Sequence, residues 1–146
     1  IMDFFSSMRI SATGMNAQQT RMNTISSNLA NAETADTPEG GPYKRRDPVF
    51  TSQADREHFG EILAGEMDEH AQGVQVTEVR EDTKAPRMVY NPKHPLANTE
   101  GYVAMPNVNP VEEMANMISA TRSYEANVTA LNAAKGMAMR ALDIGK

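Results

Sequence analysis

Apolar positions near the start of the chain recur with the spacing of a long amphipathic helix. Between residues 5 and 32 they are separated mostly by three and four residues, as the a and d positions of a heptad are. The stripe consists of Phe5, Met8, Ala12, Met15, Gln19, Met22, Ser26 and Leu29, and it is widened by Ile25 and Ala32. This pattern predicts one helix of about 29 residues, or roughly 43 Å.

A second helical stripe fills the end of the chain and begins with a strong start signal. Asn109 suits the N-cap, Pro110 suits the first helical position, and Glu112 lies three residues after the cap. The stripe then passes through Met114, Met117, Thr121, Tyr124, Val128, Leu131, Lys135, Ala138 and Leu142, with Gly145 as a stop. We predict a helix of about 35 residues, close to 52 Å long.

The middle of the chain contains short segments with β-type alternation or composition. These segments are residues 49–51, 74–79, 87–90 and 101–105. Turn sequences at 91–95 and 98–101 separate the later ones, and residues 52–72 indicate an exposed loop or a short helix. The middle therefore predicts a small, irregular β-rich module.

Together these patterns predict a mainly α fold in which the two terminal helices pair as a coiled-coil-like axial core. We expect residues 1–34 and 108–146 to form one discontinuous helical domain, and residues 35–107 to form a charged linker and the β-rich module. Polar residues interrupt both stripes, because Gln19, Ser26, Thr121 and Lys135 occupy stripe positions. One such helix pair alone would be marginal, so we expect the terminal helices to become ordered only on assembly.

Composition supports packing against other chains. The 146 residues include four Phe, four Tyr, no Trp and eleven Met, which makes a thin core. Methionine is adaptable and suits contacts with several different neighbours. The residues predicted to pack between subunits are Met8, Met15, Met22, Ile25, Leu29, Met114, Met117, Ile118, Tyr124, Val128, Leu131 and Leu142.

Charge is distributed unevenly and excludes several classes of partner. Residues 4–32 carry only Arg9 and Arg21, whereas residues 33–109 carry fourteen acidic and eight basic residues. The net charge of −5 argues against nucleic-acid binding, which depends on clustered Lys and Arg. The single basic run, residues 44–46 before Asp47, predicts a solvated turn or local salt bridges. We also expect no membrane insertion and no cleaved signal peptide, because no apolar stretch is long enough.

The sequence offers no arrangement typical of a catalytic, cofactor or metal site. The chain has no Cys, and His58, His70 and His94 are scattered through the charged middle without a metal-ligand spacing. Neither a phosphate-binding glycine loop nor a nucleophile elbow is present. We therefore expect no enzyme activity, no cofactor and no metal.

Motifs at both ends resemble the signatures of flagellar rod and hook proteins. The first is Ser-Asn-Leu-Ala-Asn-Ala-Glu-Thr at 27–34, followed after an insert at 35–42 by Tyr-Lys-Arg at 43–45. The second is Asn-Pro-Val-Glu-Glu-Met at 109–114 together with residues 119–127. Segments 73–76, 89–97 and 101–109 are similar to the C-type proximal rod proteins in particular. The signature residues are Asn28, Leu29, Ala30, Asn31, Thr34, Tyr43, Asn109, Pro110, Glu113, Arg122, Tyr124 and Asn127.

The resemblance implies a structural subunit of the flagellar proximal rod. It implies export through the flagellar type III machinery and assembly into a helical shaft in the periplasm that transmits motor torque. The implied partners are copies of the same chain, other rod proteins and the basal adaptor at the inner-membrane ring.

Three alternatives remain open at this stage. The chain could be another rod-type or adaptor subunit of the same axis. A soluble helical-hairpin adaptor would need a charged outer helix face, which residues 4–32 lack. A membrane-surface protein would need Lys and Arg along the polar face of an amphipathic helix, where this segment offers only Arg9 and Arg21.

Overall fold

The computed structural model describes residues 4–53 and 72–144, and it contains two long helices and four strands. Their order is α1 (Phe4–Ala30), β1 (Arg46–Gln53), β2 (Gly73–Glu81), β3 (Arg87–Tyr90), β4 (Tyr102–Met105) and α2 (Pro110–Ile144). The prediction of long terminal helices around a small β-rich module is confirmed. The loop or short helix predicted at 52–72 falls largely on residues 54–71, which lie outside the described residues.

The strands form two separate two-stranded ribbons. In the first, the Asp82 N–H donates to the Arg45 carbonyl at 2.7 Å and the Thr51 hydroxyl donates to the Gln75 carbonyl at 3.4 Å, so β1 and β2 run antiparallel. In the second, β3 and β4 pair antiparallel with Arg87 opposite Met105.

The turn between β3 and β4 depends on one glycine. Gly101 has a φ of 83°, and a Cβ at this position would lie 2.9 Å from the Tyr90 ring. The Asn98 side chain accepts hydrogen bonds from the N–H groups of Glu100 and Tyr102 at 3.0 and 2.9 Å. This local chemistry fixes the turn that the sequence predicted at 98–101.

The buried face of α2 differs from the predicted stripe. Glu113, Ala120 and Ala134 are buried, whereas the predicted Thr121 and Lys135 are exposed. Five of the nine predicted positions, residues 117, 124, 128, 131 and 138, are half-buried, and Met114 and Leu142 are exposed. The buried face of α2 therefore includes two alanines and a hydrogen-bonded glutamate that the apolar pattern did not single out.

The stripe predicted on α1 agrees with the buried face at most positions. Ile25 and Ala32 are buried, and the half-buried stripe residues are Met8, Ala12, Met15, Met22 and Leu29. Phe5, Gln19 and Ser26 are exposed, and Ala17 and Asn28 are buried although they lie outside the predicted stripe. Exposing polar side chains avoids the desolvation that their burial would require. None of the described helices has a segment long and apolar enough to cross a membrane.

The described residues divide into two compact units by their contacts. Unit 1 comprises residues 4–20, 50–53, 72–77 and 120–144, and unit 2 comprises residues 21–49 and 78–119. In unit 1, a Cβ at Gly14 would lie 3.0 Å from the side-chain amide of Asn127, so a larger residue here would require the Asn127 side chain to shift. Also in unit 1, the Thr13 hydroxyl accepts a hydrogen bond from the Val74 N–H at 3.2 Å.

The core of unit 2 is small. Its buried apolar side chains include Ile25, Ala32, Val103 and Val108. Two of the largest fully buried side chains, Asn28 and Glu113, are polar and belong to this unit. Unit 2 therefore depends on polar contacts to a degree that the apolar pattern did not indicate.

Candidate functional site

Asn28, close to the end of α1, is completely buried and uses its whole side-chain amide. Its Nδ2 donates to the Arg46 carbonyl at 2.8 Å and to Glu113 Oε2 at 3.2 Å. Its Oδ1 accepts from the Arg46 N–H at 2.9 Å and from the Tyr43 hydroxyl at 3.0 Å. An amide side chain has two donor hydrogens and two acceptor lone pairs, so Asn28 is fully satisfied.

Glu113, in the first turn of α2, faces Asn28 and is only 1% exposed. Its second carboxylate oxygen, Oε1, accepts a hydrogen bond from Arg45 Nε at 2.8 Å. The Arg45 side chain is 18% exposed and also pairs with Asp47. A buried carboxylate needs such a partner, because an isolated buried charge would be very costly.

The surroundings of Arg45 keep its guanidinium charged. Burial alone would lower the pKa of Arg45, but the hydrogen bond that Arg45 donates to Glu113 and the charges of Asp47 and Glu113 outweigh burial and raise the pKa above its ordinary value. The stability that this ion pair contributes is thus fully present below the ordinary arginine pKa. This stability would be lost only as the pH rises through the still higher pKa that Arg45 has in the folded chain.

Signature residues after α1 turn the chain back toward Asn28. The Asn31 side chain donates to the Ser27 carbonyl at 2.9 Å and accepts from the Thr34 hydroxyl at 3.2 Å. The Thr34 carbonyl accepts a hydrogen bond from the Tyr43 N–H at 3.0 Å. These contacts place the Tyr43 hydroxyl 3.3 Å from the Ser27 hydroxyl and within reach of Asn28.

The insert at 35–42 closes on itself between the two halves of this turn. The Thr37 N–H donates to the Gly41 carbonyl at 3.0 Å, and the Gly40 N–H donates to the Thr37 carbonyl at 2.8 Å. Gly40 and Gly41 have φ values of 87° and 82°, which favour glycine. Because the hydrogen bond from Tyr43 to Thr34 joins the ends of the insert, the insert leaves the turn intact.

The start of α2 is fixed by its predicted cap. The Asn109 side chain accepts a hydrogen bond from the Val111 N–H at 3.1 Å, and the Asn109 carbonyl accepts from the Glu113 N–H at 3.0 Å. Pro110 is the first helical residue, as predicted. The cap thereby sets the position at which Glu113 meets Asn28 and Arg45.

We call Asn28, Tyr43, Arg45, Arg46 and Glu113 the polar cluster. It joins the end of α1, the start of β1 and the start of α2 within unit 2. Its buried side-chain groups are all hydrogen-bonded to one another or to the backbone. The arrangement holds three chain segments together, and it presents no open coordination or nucleophile of the kind that chemistry at a reactive site requires.

The structure brings together many of the predicted signature residues. Asn28, Asn31, Thr34, Tyr43, Asn109, Pro110 and Glu113 lie in or around the polar cluster, and Leu29 and Ala30 belong to the same end of α1. Arg122, Tyr124 and Asn127 lie in unit 1; Asn127 donates to the Ser123 carbonyl at 3.0 Å, and Arg122 is exposed.

Arg45 is the functional residue that sequence reasoning missed. The local salt bridge predicted beside Asp47 is present between Arg45 and Asp47, whereas Lys44 and Arg46 pair with Glu81 on β2 at 3.7 and 3.2 Å. Arg45, however, reaches Glu113 across 68 residues of sequence. A glutamate beside a predicted helix cap was an available clue, because a buried carboxylate at that position needs a cation.

The residues predicted to pack between subunits divide into three groups by exposure. Ile25 is buried, and the half-buried ones are Met8, Met15, Met22, Leu29, Met117, Tyr124, Val128 and Leu131. Met114, Ile118 and Leu142 are exposed. Whether these residues contact neighbouring subunits stays a prediction.

His94 is the one predicted turn histidine within the described residues, where its Nδ1 accepts a hydrogen bond from the Leu96 N–H at 3.2 Å. His58 and His70 lie outside residues 4–53 and 72–144. Within those ranges no group of His, Asp and Glu is arranged to hold a metal ion.

Two family models match the helical segments at either end of the chain, which supply two residues of the polar cluster. The model described as "Flagella basal body rod protein" matches residues 8–35, and "Flagellar basal body rod FlgEFG protein C-terminal" matches residues 99–144. These matches include Asn28 and Glu113. They define a class, that of the flagellar basal-body rod proteins.

Comparison with curated relatives narrows this class. The chain is 45% identical to the flagellar basal-body rod protein FlgC of Bacillus subtilis, over 99% of this chain and 100% of that protein. It is 41% identical to FlgC of Borreliella burgdorferi over 98% of each chain, and 40% identical to FlgC of Aquifex aeolicus over both full lengths. The chain therefore belongs to the FlgC family of flagellar basal-body rod proteins. Membership places it among the structural proteins of the basal-body rod.

Proposed function

We propose that this chain is a structural subunit of the proximal rod of the bacterial flagellum and catalyses no reaction. The flagellar type III apparatus exports it, and it assembles in the periplasm into the helical shaft that transmits motor torque. Its partners are copies of itself, other rod proteins and the basal adaptor at the inner-membrane ring. In the assembled shaft the two terminal helices pair as a coiled-coil-like axial core. This core is one discontinuous domain, and the β-rich module lies outside it.

The observation that carries this proposal is the chemistry of the exposed helix faces. The exposed positions of α1 between residues 10 and 30 are Asn16, Gln19, Asn23, Ser26 and Ala30, and none is charged. On α2, the apolar residues Met114, Ile118 and Leu142 are exposed, although other exposed positions of this helix carry charges, including Arg122 and Lys135. Helices that face water usually carry charged residues on their outer side, so the uncharged exposed positions of α1 and the exposed apolar residues of α2 favour coverage by other subunits.

The polar cluster supports a mechanical role. A subunit that transmits torque must resist relative movement of its segments under load. Asn28, Arg45 and Glu113 connect the end of α1 to the start of α2 through hydrogen bonds of 2.8 and 3.2 Å. Fully satisfied buried networks of this kind favour one geometry over alternatives.

Deletion and complementation test the proposal. A motile bacterium whose corresponding gene is deleted should lose swimming, and this chain should restore it and be recovered in purified basal bodies. Tracing of this subunit in a reconstruction of those basal bodies should place it in the proximal rod with α1 and α2 in the axial layer. Recovery of the chain only outside basal bodies, with swimming unaffected by the deletion, would contradict the proposal.

A further inference from the structure

The contact between α1 and α2 in unit 1 pairs a glycine with a polar side chain. A Cβ at Gly14 would lie 3.0 Å from both Nδ2 and Oδ1 of Asn127. Asn127 Nδ2 donates a hydrogen bond to the Ser123 carbonyl at 3.0 Å, one turn earlier on α2. The Asn127 amide is therefore held against the α1 backbone at a position that has no side chain.

The contact between the same two helices in unit 2 has the same offset in sequence. Here Asn28 Nδ2 donates to Glu113 Oε2 at 3.2 Å. Asn28 lies 14 residues after Gly14 on α1, and Glu113 lies 14 residues before Asn127 on α2. Each step forward on α1 is thus matched by an equal step backward on α2, as in antiparallel helices that pair in one register. The 14 residues are two heptads.

Burial along both helices follows the positions that this register places opposite one another. Alternating steps of three and four residues from the two contacts, forward on α1 and backward on α2, give positions that are all buried or half-buried. On α1 they are Ser7, Ile10, Gly14, Ala17, Arg21, Thr24 and Asn28, and their counterparts on α2 are Ala134, Leu131, Asn127, Tyr124, Ala120, Met117 and Glu113. We call these positions the seam.

We propose that the Gly14–Asn127 contact, together with Asn28 and Glu113, fixes the register in which α1 and α2 of one chain pair in the rod. This inference rests on the proposed function, in which the two helices pair in the assembled shaft. Apolar residues that repeat every heptad leave a helix pair free to slide by one repeat, and a polar residue at one seam position selects a single register. Asn127 and Glu113 are polar, and each has a matched partner on α1, because Gly14 provides space and Asn28 provides a donor.

A slip by one heptad would remove both matches at once. It would slide one helix about 10 Å along the other, and Gly14 would then lie opposite Ala120 or Ala134 instead of Asn127. Glu113 would lose the Asn28 amide, and a buried carboxylate that loses a donor is destabilising. Side-chain sizes in unit 1 would also be mismatched, because Tyr124 would meet Ile10 in one direction of slip instead of Ala17.

Suppression of a size change tests the contact in the rod. Each tagged variant is expressed with an untagged unmodified copy, and their ratio in purified basal bodies is divided by their ratio in the cell lysate. Gly14→Leu should lower this value about tenfold, because added methylenes in a packed contact are destabilising. Adding Asn127→Ala to Gly14→Leu should restore most of the loss, since the shorter side chain leaves room for the leucine.

Two matched controls come from the same unit. Gly136 is also a helical glycine, but a Cβ there would have no atom of the described chain within 4 Å, so Gly136→Leu should be incorporated far better than Gly14→Leu. Asn132 is an exposed asparagine of α2. Asn132→Ala should therefore not suppress the effect of Gly14→Leu.

Cysteine pairs report the register itself, and the chain suits them because it contains no cysteine. Ser7→Cys with Ala134→Cys lies in the proposed register, as does Ile10→Cys with Leu131→Cys, whereas Ser7→Cys with Ala141→Cys reports a slip by one heptad. Basal bodies that contain the tagged double variant are treated with a mild oxidant and analysed on a denaturing gel without reductant. A disulfide within one chain gives a monomer that migrates faster. We expect this band from an in-register pair and not from the shifted pair.

Several results would overturn the inference while leaving the proposed function in place. One is incorporation of Gly14→Leu at the unmodified level, and another is suppression by Asn127→Ala that is no better than by Asn132→Ala. A third is a disulfide within the chain from the shifted pair, or from neither in-register pair in basal bodies that contain those chains. If even the unmodified chain is missing from basal bodies of swimming cells, the proposed function is wrong and the inference fails with it.

Discussion

Replacing Arg45 by Met should impair incorporation into the rod far more than replacing Glu113 by Gln. Loss of Arg45 leaves the Glu113 carboxylate, which is 1% exposed, with Asn28 as its remaining side-chain donor. Loss of the Glu113 charge leaves Arg45 18% exposed and still paired with Asp47. The two substitutions remove the same ion pair, but only the first leaves a deeply buried charge uncompensated.

The expected magnitudes follow from this difference. Removing one partner of a buried ion pair costs about 3 to 5 kcal/mol when the other charge stays buried. This corresponds to a roughly 150- to 5,000-fold lower population of the intact cluster. Glu113→Gln should cost about 1 to 3 kcal/mol, the range for a buried hydrogen-bonding group that loses a partner. Arg45→Met with Glu113→Gln should be less harmful than Arg45→Met alone, because no buried charge then remains.

A competition assay measures these effects where the chain functions. Each tagged variant is expressed with an untagged unmodified copy, and the ratio of the two in purified basal bodies is divided by their ratio in the cell lysate. The Arg45→Lys variant serves as a control that keeps the charge. Incorporation of Arg45→Met at the unmodified level, or a double variant as poor as the sum of the two single effects, would refute the role assigned to the polar cluster.

Three further predictions address the helices. Val128→Ala with Leu131→Ala should abolish rod assembly and swimming, since each half-buried side chain contributes roughly 1 to 4 kcal/mol where it is packed; normal swimming would argue against a packed α2. Reversal of the Arg122 charge should impair assembly more than reversal of the Lys84 charge. Equal swimming of the two charge-reversal variants would contradict this prediction. Amide hydrogen exchange should show the two terminal helices weakly protected in dilute monomer and strongly protected in the rod, because ordering each residue costs about 1 to 2 kcal/mol of backbone entropy; strong protection in the monomer would contradict this.

The features predicted well from the sequence are those fixed by local chemistry. The start of α2 at Pro110 follows from Asn109, whose side chain caps the helix as expected. The strand at 87–90 is found with the predicted bounds, and the following turn is fixed by Asn98 and Gly101. In each case residues close in sequence determine the result, so no knowledge of distant partners was needed.

The side of each helix that becomes buried was predicted only in part. A hydrophobic pattern favours burial of Met114 over Glu113, and it distinguishes poorly between Thr121 and Ala120. In the structure, however, Glu113 and Ala120 are the buried residues. Burial of Glu113 is possible because Arg45 and Asn28 supply its hydrogen bonds. Those partners lie 68 and 85 residues away in sequence, and a periodicity of apolar residues contains no information about them.

We propose one physical explanation for the exposed apolar residues and for the partial agreement of the predicted stripes with the buried faces. In the single chain, α1 and α2 bury small or hydrogen-bonded residues such as Ala17, Asn28 and Ala120, and Met114 and Ile118 remain outside. A sequence selected only for a stable monomer would place its larger apolar side chains inside, where each contributes about 1.5 to 3 kcal/mol by burial. A subunit of an assembly needs a second apolar surface for its neighbours, so one hydrophobic pattern must encode two packing faces. On this proposal, the heptad stripe predicted from the sequence mixes residues of both faces, and it therefore agrees with the buried face of the single chain at only some positions.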